Sequence, residues 1–126
     1  MLAKSTFAVS LASAGAARRF VADALAGAGV ERDVVDLAEL LTSEIVTNAV
    51  VHARSMAEVG VDRVGDAVRV EVLDVAPSLP HVRHVPPEAT AGRGLAIVEA
   101  LANRWGVEPR GESGKVVWFE LAAGSG

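Results

Sequence analysis

The sequence predicts an α+β two-layer fold, with a mixed, mostly antiparallel sheet covered on one face by about three helices. Three observations carry this. Candidate elements follow one another in the order β–α–α–β–β–α–β–β. Most strands come in pairs joined by short turns, which favours antiparallel neighbours over the strand–helix alternation of a parallel sheet. The stretches between the first strand and the hairpin have helical spacing of apolar residues, so they cover a sheet rather than extend it.

The first strand reads as Thr6 to Val9, followed by Ser10 or Ser13 as a helix cap. A helix then runs from about Leu11 to Ala26, with Ala14, Ala17, Val21 and Leu25 on its apolar side. Arg18, Arg19 and Asp23 give it a charged side, and Gly27 and Gly29 end it. The arginine pair reads first as a solvated face and second as a place for a partner to dock.

The second helix begins near Glu31 and Asp33, where carboxylates suit the helix dipole, and ends near Ala53 to Ser55. On a helical wheel Val34, Leu37, Leu41 and Val51 form one stripe, flanked by Ala38 and Ile45. Glu44 and Asn48 fall inside that stripe, one turn apart, so their side chains stack on one face. Asp36, Glu39, Thr42, Ser43 and Thr47 already supply a polar side opposite. A carboxylate and an amide on an apolar face are costly unless paired or bound, so this pair is either a structural contact or a site.

Ala57 to Val64 and Ala67 to Val75 read as strands joined at Gly65-Asp66. In the second of them Val68, Val70 and Val72 alternate with Arg69 and Glu71, and Asp74 stands at the strand end. Residues 76–91 form a long loop with Pro77, Pro80, Pro86 and Pro87, a length that in a compact domain usually signals function. Its His81 and His84 are spaced for a metal only on a helix, which the prolines oppose. Gly92 to Gly106 then reads as a glycine-led helix closed by Trp105 and Gly106. Glycines running into a helix start offer free N–H groups and a dipole to an anion. The stretch fits neither a P-loop nor a dinucleotide fingerprint. Two strands around Gly111 to Gly114 finish the chain, the last from Lys115 to Leu121.

Composition narrows the class. A chain of 126 residues is read as one domain, 1–126, able to bury roughly two-thirds of its extended surface. No apolar run approaches the ~20 residues of a membrane span. The absence of cysteine removes disulfide and thiolate-metal chemistry. A formal charge of −4 with scattered basic residues disfavours nucleic acid as a direct partner. The first ten residues lack the long apolar core of a signal peptide, so a cytoplasmic location without membrane attachment is expected.

Taken together, SEIVTNAVVHA, LDVAPSLP, GRGLAIVEALANRWGVE and GKVVWFEL resemble the N box, a reduced first glycine box, the second glycine box and the closing strand of the GHKL ATPases. That family, with its Bergerat ATP-binding fold, is shared by histidine kinases, type II topoisomerases and heat-shock chaperones. Within it the chain is most similar to the stand-alone anti-sigma-factor serine kinases and to small actinobacterial ATP-binding regulatory proteins related to them. The resemblance implies ATP and Mg²⁺ as cofactors. It implies Asn48 as the metal ligand, Glu44 as general base and Asp74 as acceptor for the adenine amino group. The backbone of Gly92, Arg93, Gly94 and Leu95 would meet the phosphates, and the proline-rich loop would be a short lid. The activity implied is transfer of the γ-phosphate to a Ser or Thr of an antagonist protein. The alternative is a non-catalytic, nucleotide-gated interaction module. A STAS-type anti-anti-sigma protein is the partner implied, with a sigma factor as a further candidate, and relatives of this kind tend to form homodimers. Two departures stand out. The family's Asp-x-Gly-x-Gly reads Asp74-Val75-Ala76-Pro77-Ser78, and Val116 stands where many relatives have threonine, so a polar contact near the adenine is expected to be missing.

Overall fold

A computed structural model describes residues 1–75, 92–111 and 114–123. The element order is β1 (Ala3–Phe7), α1 (Ser13–Gly27), α2 (Arg32–Thr47), a π-helical turn (Asn48–His52), β2 (Met56–Val64), β3 (Ala67–Val75), α3 (Gly92–Leu101), β4 (Arg104–Pro109) and β5 (Lys115–Ala122). The five strands form one sheet in the order β1-β2-β3-β5-β4. Every described pairing is antiparallel, so the expected mixed sheet is purely antiparallel here.

Alternation along the strands sorts the sheet into two faces. The inner face carries Ala57, Val59 and Val61 of β2, Val68, Val70 and Val72 of β3, and Val117, Phe119 and Leu121 of β5, all buried. Helices α1, α2 and α3 cover it. Helix α1 lies against α2, β1 and β2, α2 against β3 and β5, and α3 against α2 and β4. Burial selects Ala17, Val21 and Leu25 on α1 and Ala38, Leu41, Ile45 and Val46 on α2, at helical spacing.

Four elements depart from the sequence reading, each for a physical reason. Strand β1 starts and ends earlier than Thr6 to Val9, because Ala3 to Phe7 pair with Val61 to Ala57. Ser13 does not cap α1. Its hydroxyl donates to the Ala8 carbonyl at 2.6 Å, tying the helix start to the end of β1. Helix α3 stops at Leu101 rather than running to Gly106. The Asn103 N–H donates to the Glu120 carbonyl (3.0 Å), and Asn103 Oδ1 accepts from the Ala122 N–H (2.8 Å). This docks the chain onto β5, and Trp105 and Gly106 become strand residues opposite Phe119 and Trp118. Gly106 is required there, since a Cβ would stand 2.8 Å from Trp118 Nε1.

The fourth departure is in α2. Its buried centre runs through Ala38, Thr42, Ile45 and Ala49, so Thr42 lies in the core rather than on the polar side. Its hydroxyl has no hydrogen-bond partner among the described residues. Glu44 and Asn48 lie half-buried with Val34, Leu37 and Val51, at the rim of the apolar stripe rather than in its middle.

Candidate functional site

The polar pair on α2 sits where the helix changes character. The Asn48 N–H still donates to the Glu44 carbonyl in the α-helical manner. One turn later the Ala53 N–H reaches back five residues to the Asn48 carbonyl at 2.9 Å. The Ser55 N–H then bonds the Ala49 carbonyl at 2.8 Å, and Arg54 adopts φ +55°, the left-handed conformation usually left to glycine. Widened turns of this kind are rare and concentrate at functional sites. Nothing in the alternation of apolar residues signals it. Among the described residues neither Glu44 nor Asn48 has a side-chain hydrogen bond or ion pair.

Asp74 is a charged residue on the inner face, in register with Ala57 on β2 and Lys115 on β5. Its carboxylate is nearly buried, at 8% side-chain exposure. One oxygen, Oδ2, accepts from Lys115 Nζ at 2.9 Å. The other, Oδ1, is buried with no partner among the described residues. A buried acceptor left empty costs about 1–3 kcal/mol, so it either records strain or awaits a donor. A ligand amino group fits it, being a donor without the charge that Lys115 already provides.

Strand register places Val116, where a polar contact near the adenine is expected to be missing, on the outer face opposite Leu73. It lines a depression there with Lys4, Glu58 and Glu71. The side chain opposite Asp74 belongs to Lys115, and it is polar. Strand register could not be read from the sequence, and a one-residue offset moves a side chain to the other face.

Gly92, Arg93, Gly94 and Leu95 form the first turn of α3, packed beside α2. The first four N–H groups of any helix lack partners within it, and here they belong to a helix packed against α2. The remnant of the first glycine box from Ala76 onward, the proline-rich segment and His81 and His84 lie outside the described residues.

The family profile described as "Histidine kinase-like ATPase domain" matches residues 7–121. The chain belongs to this family. The histidine kinase-like ATPase fold is also that of a solved structure, the crystal structure of the RsbU and RsbW domains of Rv1364c from Mycobacterium tuberculosis. The two superpose with a TM-score of 0.72 at 22% identity over 95% of this chain and 32% of the other, a likeness of fold. This chain therefore corresponds to about a third of that protein's length. No curated protein sequence matches this one.

The family accounts for an ATP-binding domain, and the empty Asp74 acceptor suits an amino-bearing base. Among the described residues no three His, Asp or Glu side chains gather to hold a metal ion. A cation carried with a nucleotide takes phosphate oxygens and water beside a few protein oxygens. This suits Mg²⁺, which keeps several such ligands. Asn48, half-buried and unbonded, offers such an oxygen. No described helix is long and apolar enough to cross a membrane.

Away from this site the outer face is charged but internally paired. Arg69 Nε donates to Glu71 (2.8 Å) and its Nη1 to Glu120 (2.8 Å), and Arg104 approaches Glu120 at 3.6 Å. The Arg69 guanidinium lies 4.0 Å from the Trp118 ring centroid. Burial works against the Arg69 charge, but the bonds to Glu71 and Glu120 outweigh it and raise its pKa. The outer depression, about 380 Å³, borders this network and lies across the sheet from Asp74.

Proposed function

We propose that this chain is an ATP-binding regulatory protein of the anti-sigma serine-kinase type. The observation that carries the reading is the buried, unpartnered Oδ1 of Asp74, on the sheet face covered by the helix that holds Glu44 and Asn48. In this reading Oδ1 accepts the adenine amino group. The free N–H groups of Gly92, Arg93, Gly94 and Leu95 meet the phosphates. Asn48 supplies its side-chain oxygen to Mg²⁺, which neutralises phosphate charge.

The reaction proposed is phosphoryl transfer to a Ser or Thr hydroxyl of an antagonist protein, with a STAS-type partner favoured by the family resemblance. The hydroxyl oxygen forms a bond to the γ-phosphorus, the bond from γ-phosphorus to the β,γ-bridging oxygen breaks, and ADP leaves with that oxygen. Glu44 accepts the hydroxyl proton. Such transfer depends mainly on positioning and charge neutralisation. Removing a positioned base is expected to cost about 10²–10⁴-fold in rate.

The second reading, a nucleotide-gated interaction module without catalysis, draws on Ala76 and Ser78 in place of the first-box glycines. Incubation with γ-labelled ATP and candidate STAS-domain proteins separates the two. Label on the partner with wild type, and none with Glu44→Ala that still binds ATP, supports the kinase. ATP binding without label on any partner supports the module. Equal labelling by Glu44→Ala would remove Glu44 from the role of base.

A further inference from the structure

We infer that Lys115 is a positioning residue for base recognition, acting through Asp74. This rests on the reading of Asp74 as the adenine acceptor and adds a residue that the N box and glycine boxes do not contain. The argument begins with the carboxylate's two oxygens. A buried carboxylate can present either oxygen to a ligand by turning about its Cβ–Cγ bond, and it is costly without a counter-charge. Lys115 removes both problems. Its ammonium donates to Oδ2 at 2.9 Å from the neighbouring strand, and Asp74 and Lys115 are direct partners in the β3–β5 register. Oδ1 is thereby the oxygen left for a ligand, and it is buried with no partner among the described residues.

The Lys115 side chain is about half exposed, at 47%, against 8% for Asp74. Its ammonium therefore approaches from the solvent side and bonds Oδ2, not the buried Oδ1. Lysine and base can occupy the carboxylate together, so the lysine supports the ligand instead of competing with it. A fixed, ionised acceptor discriminates between bases. It bonds a 6-amino group, and it repels the carbonyl oxygen that inosine or guanosine nucleotides carry at the same place. Charge-assisted bonds of this sort are stronger than neutral ones and more sensitive to geometry. Lys115 thus contributes to the preference for an amino-bearing base.

The test is calorimetric titration of the full chain with MgADP and with MgIDP, which differ at the 6-position of the base. Wild type, Lys115→Met, Lys115→Arg and Lys115→Gln are compared, each checked by thermal denaturation. Lys115→Met is expected to lower ADP affinity about tenfold while leaving IDP affinity unchanged, so the ADP-to-IDP ratio falls. Lys115→Arg restores the ratio, because it keeps the charge and a donor. Lys115→Gln falls between, and provides the readout if the methionine variant does not fold. In an Asp74→Asn background, Lys115→Met has no further effect on the ratio. A wild-type ratio in Lys115→Met, or tighter ADP binding by it, overturns the inference while leaving the nucleotide reading intact. Failure of wild type to bind either nucleotide overturns both.

Discussion

The two faces of the sheet use the same residue types to opposite ends. On the outer face Arg69 is held by Glu71 and Glu120, and its guanidinium lies over Trp118. On the inner face Asp74 has one oxygen bonded by Lys115 and one with no partner among the described residues, beside a layer of buried Val, Ala, Leu and Phe. Charge alone therefore does not mark a site. A satisfied network holds strands in register, whereas an unsatisfied acceptor inside a core costs stability that a donor would return.

Substitutions on the two faces should separate these roles. The largest loss is expected on the inner face, for Phe119→Ala, which empties a fully buried ring position at the centre of the core. Urea denaturation should show it destabilised by about 3–5 kcal/mol. On the outer face Gly106→Ala forces a Cβ to within 2.8–2.9 Å of three atoms of the Trp118 indole, and a loss of about 1–3 kcal/mol is expected in the same assay. Glu120→Gln weakens the charge pairing that joins Arg69 to Arg104, and should cost about 1–2 kcal/mol without altering nucleotide binding. If it altered binding, the division of labour between the faces would be wrong.

The smallest effect is a pH dependence at Asp62 on β2. The Arg63 backbone N–H, and after it the N-terminal ammonium, hold the Asp62 carboxyl below its ordinary value. A carboxyl depressed in the folded state adds stability above its unfolded pKa, and that stability is lost as pH falls through the folded value. Acid denaturation of Asp62→Asn should therefore show a slightly flatter fall below about pH 4 than wild type.

Much of this arrangement was legible in the sequence, and the exceptions share a cause. Period-two alternation in Val68, Val70 and Val72 and helical spacing in Ala17, Val21 and Leu25 gave the layers and their order, because burial imposes those periods directly. The apolar spacing of α3 continues past its end and so places Trp105 and Gly106 on a helix. What stops α3 is Asn103 docking on β5, a contact between distant parts of the chain. The same holds for the site. Glu44, Asn48 and Asp74 stood out as polar residues among apolar ones. Lys115 did not, because its partner is set by strand register and not by spacing. The π-helical turn after Asn48 was equally silent, since one wider turn hardly disturbs the apolar pattern.

The most direct test of the central claim is calorimetric titration of MgATP into wild type, Asp74→Asn and Asn48→Ala. Saturable binding by wild type is predicted, strongly weakened in Asp74→Asn and no longer Mg²⁺-dependent in Asn48→Ala. Absence of binding by wild type, or wild-type affinity in Asp74→Asn, would contradict the assignment of the inner face as a nucleotide site.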